Sequence, residues 1–72
     1  MPNSLSDPRY RLIIERLRQA RLEAGMTQAE LAEELRVPQS FVAKVERLER
    51  RLDILEFVQI AEAIGISPGE LI

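Results

Sequence analysis

The stretch AGMTQAELAEELRVPQSFVAKVE, residues 24–46, decides the fold, because a helix end, a helix start and a turn follow one another within it. Gly25 suits the left-handed backbone that ends a helix. Thr27 and Glu30 have the spacing of a capping box, which starts a second helix. Pro38 disfavours helix at the residue before it and suits the entrance of a third helix. The stretch therefore predicts two short helices joined by a tight turn.

The helices on either side of this turn follow from the same kind of signal. We predict the second helix at Gln28–Leu35 and the start of the third near Gln39. Upstream, Asp7 is a candidate N-cap before Pro8, and apolar residues recur at three and four positions over residues 8–24. These signals place a long first helix directly before Gly25.

The C-terminal third of the chain is also helical in pattern. The segment DILEFVQIAEAIG has an apolar stripe and ends at Gly65, which suits a helix cap. Ser67 and Glu70 then repeat the capping-box spacing and predict a short terminal helical piece. No segment has the alternation of a strand. The sequence predicts an all-α fold in one domain, residues 1–72, in which residues 1–7 form a flexible tail.

Composition excludes several classes of function. The 72 residues include no cysteine and no histidine, which removes disulfides, the usual zinc ligands and the usual general base. No nucleophile has a base beside it, so we expect neither an enzyme, nor a cofactor, nor a metal, nor a small-molecule substrate. The N-terminus MPNSLSDPRY lacks the apolar segment of a signal peptide, and no apolar run is long enough to span a bilayer. We expect a soluble, cytoplasmic protein.

Charge is segregated along the chain, although the net charge is only −2. Residues 9–24 and residues 36–51 are each net positive, whereas residues 28–35 and the tail after Arg51 are acidic. A basic face with an acidic back fits this pattern, and so does an ordinary mixed surface in contact with water.

The order and spacing of these segments resemble the lambda-repressor-like and Cro-like family of helix-turn-helix DNA-binding domains, of the xenobiotic-response-element type. The pieces that carry the resemblance are AGMTQAELAEEL, VPQSFVAKVE and ERRLDILEFVQIAEAIGISPGELI, and the match covers about residues 12–72. The resemblance implies five short helices, a third helix in the major groove of double-stranded DNA, and a homodimer on paired half-sites. It also implies a bacterial or phage protein associated with the nucleoid.

The resemblance assigns base-reading roles to the start of the third helix. Gln39 and Ser40 would meet base edges, and Gln39 has the amide that pairs with adenine. Lys44, one turn further on, would reach a guanine or a phosphate. Phe41 has two interpretations, as a contact to a thymine methyl or sugar, or as a buried or dimer-forming residue.

Phosphate-binding roles are implied for residues on both sides of this helix. Gln28 would contact the backbone from the start of the second helix, with capping of that helix as the alternative. Arg47, Arg50 and Arg51 would hold the flanking phosphates, with a solvated face as the alternative. Glu46 is expected to tether a neighbouring basic group.

Three residues depart from the family pattern. Arg36 stands at the tight turn, where the family commonly has glycine, and Leu48 follows the third helix, where the family commonly has glycine or asparagine. A non-glycine residue in the left-handed conformation costs on the order of 1 kcal/mol. Ala43 replaces a small hydroxyl residue and removes a hydrogen bond to DNA. The run of helix-favouring residues near 43–48 also suggests an engineered sequence.

Leu48 raises a further question about the end of the third helix. The spacing of four, three, four and three is typical of a coiled-coil seam, and it is shared by Phe41, Val45, Leu48, Leu52 and Leu55. Two outcomes remain open. In the first, the third helix stops near Leu48 and the protein is a DNA-binding regulator, most simply a repressor. In the second, the third helix fuses with the C-terminal helix (helices 3 and 4), and the long helix belongs to an exchanged dimer with impaired DNA binding.

Overall fold

The computed structural model describes residues 4–72, and this part of the chain contains α-helices, 3-10 turns and no strand. The four α-helices are α1 (Pro8–Glu23), α2 (Gln28–Leu35), α3 (Gln39–Glu46) and α4 (Ile54–Ile64). Two 3-10 turns, Ser4–Ser6 and Pro68–Glu70, lie at the two ends. The all-α prediction is confirmed. None of the described helices has the length and apolar character needed to cross a membrane.

The N-terminal ends of the helices match the sequence prediction closely. Asp7 accepts the Arg9 backbone N–H at 2.8 Å, with Pro8 in the first helical position. Thr27 and Glu30 form a complete capping box, with reciprocal bonds of 3.0 and 2.9 Å. These bonds are local, so the sequence alone reveals them.

Each end of the described chain contains a short 3-10 segment. The terminal piece is a 3-10 turn rather than a fifth α-helix, and Ser67 makes no side-chain cap bond there, so the second predicted capping box is wrong. At the other end, residues 4–6 form a 3-10 turn that lies against α1. The rest of the predicted tail lies outside the described residues.

One hydrophobic core joins all four helices. Helix α2 packs mainly against α3 and α4, and α1 covers the same core from the other side. The buried apolar residues are Ile14, Leu17, Leu31, Ala32, Val42, Val45, Ile60, Ala61, Ile64 and Leu71. Because α2 and α3 have only eight residues each, their stability comes from this packing rather than from helix propensity.

Helix α3 ends at Glu46, so of the two outcomes left open by the sequence the structure shows the helix that stops, and the alternative of fused helices is not found. Leu48 is left-handed, with φ of 63°, and its N–H donates to the Val45 carbonyl at 3.1 Å. The Glu49 N–H donates to the Lys44 carbonyl at 2.8 Å, which completes a Schellman motif. The fused-helix seam therefore does not form, and its predicted members Phe41, Val45, Leu48, Leu52 and Leu55 do not share one helix.

Tertiary contacts explain why the chain turns despite its helix-favouring residues. The half-buried Leu48 side chain packs against the hydrophobic core. The Leu52 N–H donates to the Tyr10 hydroxyl at 3.1 Å, and Asp53 caps α4 by accepting the Glu56 N–H at 2.7 Å. Together the stabilisation from these contacts exceeds the free-energy cost of the left-handed backbone at Leu48, which is about 1–2 kcal/mol.

The turn between α2 and α3 also contains a left-handed residue that is not glycine. Arg36 has φ of 58°, and its N–H donates to the Glu33 carbonyl at 3.1 Å. The Val37 N–H donates to the Ala32 carbonyl at 3.0 Å. The strained backbone expected at Arg36 is confirmed, and it sets the angle at which α3 leaves α2.

Candidate nucleic-acid interface

The three predicted base-reading residues lie on one exposed face of α3. Gln39, Ser40 and Lys44 are exposed, whereas Val42 and Val45 are buried on the opposite side. This separation follows from the helical repeat, which alternates outward and inward positions every three or four residues. The structure thus gathers two polar side chains and one ammonium group on a surface open to a partner.

Ala43 lies within the same face and is half-buried. Its methyl group neither donates nor accepts a hydrogen bond, so polar recognition is left to the residues around it.

A buried ion pair fixes the inner side of α3. Arg21 of α1 donates from Nε to Glu46 Oε2 at 2.7 Å and from Nη2 to Glu46 Oε1 at 2.9 Å. Arg21 Nη1 donates to the Met26 carbonyl at 2.7 Å. The expectation that Glu46 tethers a basic group is confirmed. The pair joins α1, the loop before α2 and the end of α3, and its bidentate geometry resists rotation of α3.

Gln28 is attached to the same buried pair. Its Nε2 donates to Glu46 Oε1 at 2.9 Å, and the residue is half-buried. The side chain that was predicted to contact phosphate therefore already has an intramolecular partner. The bond orients the first turn of α2 relative to α3.

The three arginines after α3 have different surroundings. Arg47 and Arg51 are exposed, and Arg47 forms a surface ion pair with Glu49 at 3.0 Å. Such pairs contribute only about 0–1 kcal/mol, so Arg47 exchanges its partner easily. Arg50 is half-buried and belongs to a denser group of contacts.

The guanidinium of Arg50 lies between an aromatic ring and a carboxylate. Its carbon is 4.4 Å from the centroid of the Phe41 ring, within the range of a cation–π interaction. Nη1 and Nη2 donate to the two carboxylate oxygens of Glu56 at 3.0 and 2.9 Å. The Arg50 side chain, followed by the Asp53 backbone N–H, lowers the pKa of Glu56, while Glu56 raises the pKa of Arg50.

Three of the exposed acidic residues lie on α2. Glu30, Glu33 and Glu34 are exposed on α2, and the pKa of Glu30 is lowered by its bonds to Thr27. Within residues 4–72 no acidic cluster has the arrangement of a metal site.

Sequence reasoning missed the partners that hold the interface in place. Arg21 stood in the apolar stripe of the first helix, and a charged residue in such a stripe is a signal for a buried ion pair. Asp53 and Glu56 have capping-box spacing, which was also overlooked. The contact between Phe41 and Arg50 has no comparable signal, because it depends on the path of residues 47–53.

Comparisons with known proteins agree with this geometry. A family profile described as helix-turn-helix matches residues 17–71. A solved structure, an XRE-family like protein from Pseudomonas syringae pv. tomato str. DC3000, is 49% identical with a TM-score of 0.85. That match covers 88% of this chain and 77% of the other. No curated protein matches the chain.

The profile spans most of the chain, and the similar structure shares both the fold and half of the aligned residues. The chain therefore belongs to the XRE-type, lambda-repressor-like helix-turn-helix family of DNA-binding regulators.

Proposed function

We propose that this protein is a sequence-specific transcriptional regulator, most simply a repressor, that reads double-stranded DNA with α3. The observation that carries the proposal is the exposed polar face formed by Gln39, Ser40 and Lys44. The opposite side of the same helix is fixed by the core and by the Arg21–Glu46 pair. A rigid helix with a polar outer face is suited to the major groove.

Each exposed residue has a distinct role in this proposal. Gln39 presents an amide that forms two hydrogen bonds to an adenine edge. Ser40 donates or accepts one bond to a neighbouring base or phosphate. Lys44 donates to a guanine edge or to the backbone, and the choice depends on how deeply α3 enters the groove.

Arg47 and Arg51 hold the phosphates beside the major groove. Both are exposed, and the surface pair between Arg47 and Glu49 is weak enough to give way to a phosphate. Gln28 orients the first turn of α2 through its bond to Glu46, so that the backbone N–H groups of this turn face a phosphate. This contact set predicts binding that weakens as salt rises.

The protein acts as a homodimer at a palindromic site in the bacterial or phage-infected cytoplasm. A second copy is the expected partner because two-fold symmetry of the protein mirrors that of the operator. Ile54 and Leu55, at the start of α4, are 84% and 64% exposed, and they directly follow the segment that leaves α3. These apolar side chains suit a contact between copies near the DNA surface.

In vitro selection from a random duplex library tests the proposal. The wild type should enrich a palindromic site, and Gln39→Ala should relax the preference at one base of each half-site. Gln19→Ala, on the exposed side of α1, is the matched control and should enrich the wild-type site. Failure to enrich any sequence, or an unchanged site for Gln39→Ala, would contradict the proposal.

A further inference from the structure

The geometry points to a second role for one of the arginines after α3: Arg50 is a positioning residue that clamps the base-reading end of α3 to α4. This inference rests on the proposed DNA-binding function. It replaces direct phosphate binding by Arg50, the role that the family resemblance implies. The clamp consists of Phe41, Arg50 and Glu56.

The first observation is that the start of α3 lacks a local anchor. Asp7, Thr27 and Asp53 each cap the helix that follows with a side-chain hydrogen bond. Pro38 precedes α3 and makes no such bond, so α3 alone among the four described α-helices is uncapped by a side chain. A short helix without a cap frays at its first turn unless tertiary contacts hold it. Gln39 and Ser40, the proposed base readers, occupy that turn.

The second observation is that Phe41 supplies the missing anchor through Arg50. Phe41 is adjacent to Ser40 and is half-buried, and its ring lies under the Arg50 guanidinium. The guanidinium is itself immobilised, because Nη1 donates to both the Arg51 carbonyl and Glu56 while Nη2 donates to Glu56. A stacked guanidinium with three hydrogen bonds holds the aromatic ring in one orientation.

The third observation is that the far end of the clamp belongs to a rigid element. Glu56 Oε1 accepts the Asp53 N–H at 3.0 Å, and Asp53 accepts the Glu56 N–H in return. This capping box fixes the Glu56 carboxylate at the first turn of α4. The first turn of α3 is thereby connected to the first turn of α4 through three side chains, those of Phe41, Arg50 and Glu56.

The same contacts make Arg50 a poor phosphate ligand. Its positive charge is matched by Glu56 in a bidentate pair, and contact with a phosphate would require that pair to break. Arg47 and Arg51 are exposed, and the pair of Arg47 with Glu49, with side chains 60% and 53% exposed, is more open to water than that of Arg50 with Glu56, at 40% and 26%. Arg50 therefore contributes to sequence recognition through the shape of α3 rather than through charge.

Paired binding measurements separate the two roles. The probes are the fluorescein-labelled duplex obtained by selection and a mixed-sequence duplex of the same length, each titrated at several salt concentrations. The ratio of the two affinities measures discrimination. A residue that binds phosphate contributes equally to the affinities of both complexes, whereas a positioning residue contributes mainly to the affinity for the selected duplex.

Arg50→Gln and Glu56→Gln should both lower the discrimination ratio, by roughly three- to tenfold. Arg50→Lys should not restore it, since an ammonium group lacks the planar fork that stacks and bonds simultaneously. Arg47→Gln is the matched control, and it should weaken both complexes equally and reduce the salt slope by about 1. The clamp is overturned if Arg50→Gln behaves like Arg47→Gln, or if Glu56→Gln tightens both complexes.

A measurement on the free protein tests the clamp independently of the proposed DNA-binding function. Backbone amide shifts of Gln39 and Ser40 in the free protein should move in both Glu56→Gln and Arg50→Lys, while those of α1 stay in place. Unchanged shifts at these two residues would overturn the clamp even if the wild type binds DNA. A wild type that binds neither duplex would overturn the proposed function and leave these shifts as the test of the clamp.

Discussion

Arg21 and Glu46 form an ion pair with an Nε–Oε2 distance of 2.7 Å, and each side chain is only 7% exposed. The two residues are 25 positions apart, on α1 and α3, and Gln28 of α2 bonds to the same carboxylate. The elements that present the proposed DNA-binding face therefore meet at one buried carboxylate. The stability of the fold and the geometry of this face are therefore linked, because a change at Glu46 affects the orientation of both α2 and α3.

Removing the charge of Glu46 should destabilise the protein strongly. Glu46→Gln leaves Arg21 buried without a counter-charge, which typically costs about 3–5 kcal/mol. Urea denaturation of this variant should therefore show a large loss in the free energy of unfolding. Glu49→Gln, at the exposed pair with Arg47, is the matched control and should change the value by no more than about 0.5 kcal/mol. Equal losses in the free energy of unfolding for the two substitutions would show that the buried pair contributes no more to stability than the exposed pair.

Replacing Arg36 with glycine should stabilise the fold. The side chain is exposed, and the backbone at φ of 58° favours a residue without Cβ. The relief of roughly 1–2 kcal/mol, reduced by the larger entropy of an unfolded glycine, leaves a gain of about 0.5–1 kcal/mol. Gln19→Gly, inside α1, should instead cost about 1 kcal/mol. A thermal unfolding comparison tests the opposite signs, and a loss in Arg36→Gly would refute the strain argument.

Acid titration should reveal the cap of α1. The side-chain and backbone bonds from Arg9 lower the pKa of Asp7 from 3.8 to about 2. Because the folded pKa is lowered, the stabilisation from this carboxylate is complete above about pH 4 and is lost as the pH falls towards 2. NMR titration of the Asp7 carboxyl carbon should give a midpoint near the lowered value. Arg9→Gln should raise that midpoint, whereas Arg18→Gln should leave it in place.

The chain between α3 and α4 should remain non-helical in solution. Backbone chemical shifts of residues 47–53 should be non-helical, with Leu48 showing the values of a left-handed residue. Leu48→Gly should keep the same pattern, because glycine accepts this conformation and the rest of the segment retains its contacts. Unbroken helical shifts from Lys44 to Leu55 would instead indicate the fused helix that the structure excludes.

The features that the sequence predicted correctly are those determined within a few residues. The caps at Asp7 and Thr27 bond two or three positions along the chain, and the outward positions of α3 follow from its period. The end of α3 was ambiguous because helix propensity is local, whereas Leu48 packs against the core and the Leu52 N–H bonds to Tyr10 of α1. Tertiary packing overrides propensity at such positions.

The candidate site likewise contains features that could be predicted from the sequence and features that could not. The family resemblance selected Gln39, Ser40 and Lys44, and all three are exposed in the structure. The partners of Gln28 and Arg50 could not be predicted, because Glu46 and Glu56 approach them only after the chain has turned. The family resemblance assigned both to phosphate, and the structure shows that each already has an intramolecular partner.

The most direct test of the account is a map of backbone amide shift changes when the wild-type protein is titrated with its selected duplex. We expect the largest changes at Gln39, Ser40 and Lys44, with smaller changes at Arg47 and at the first turn of α2. Changes concentrated on α1 or in the middle of α4, with α3 unaffected, would contradict the claim that α3 reads DNA.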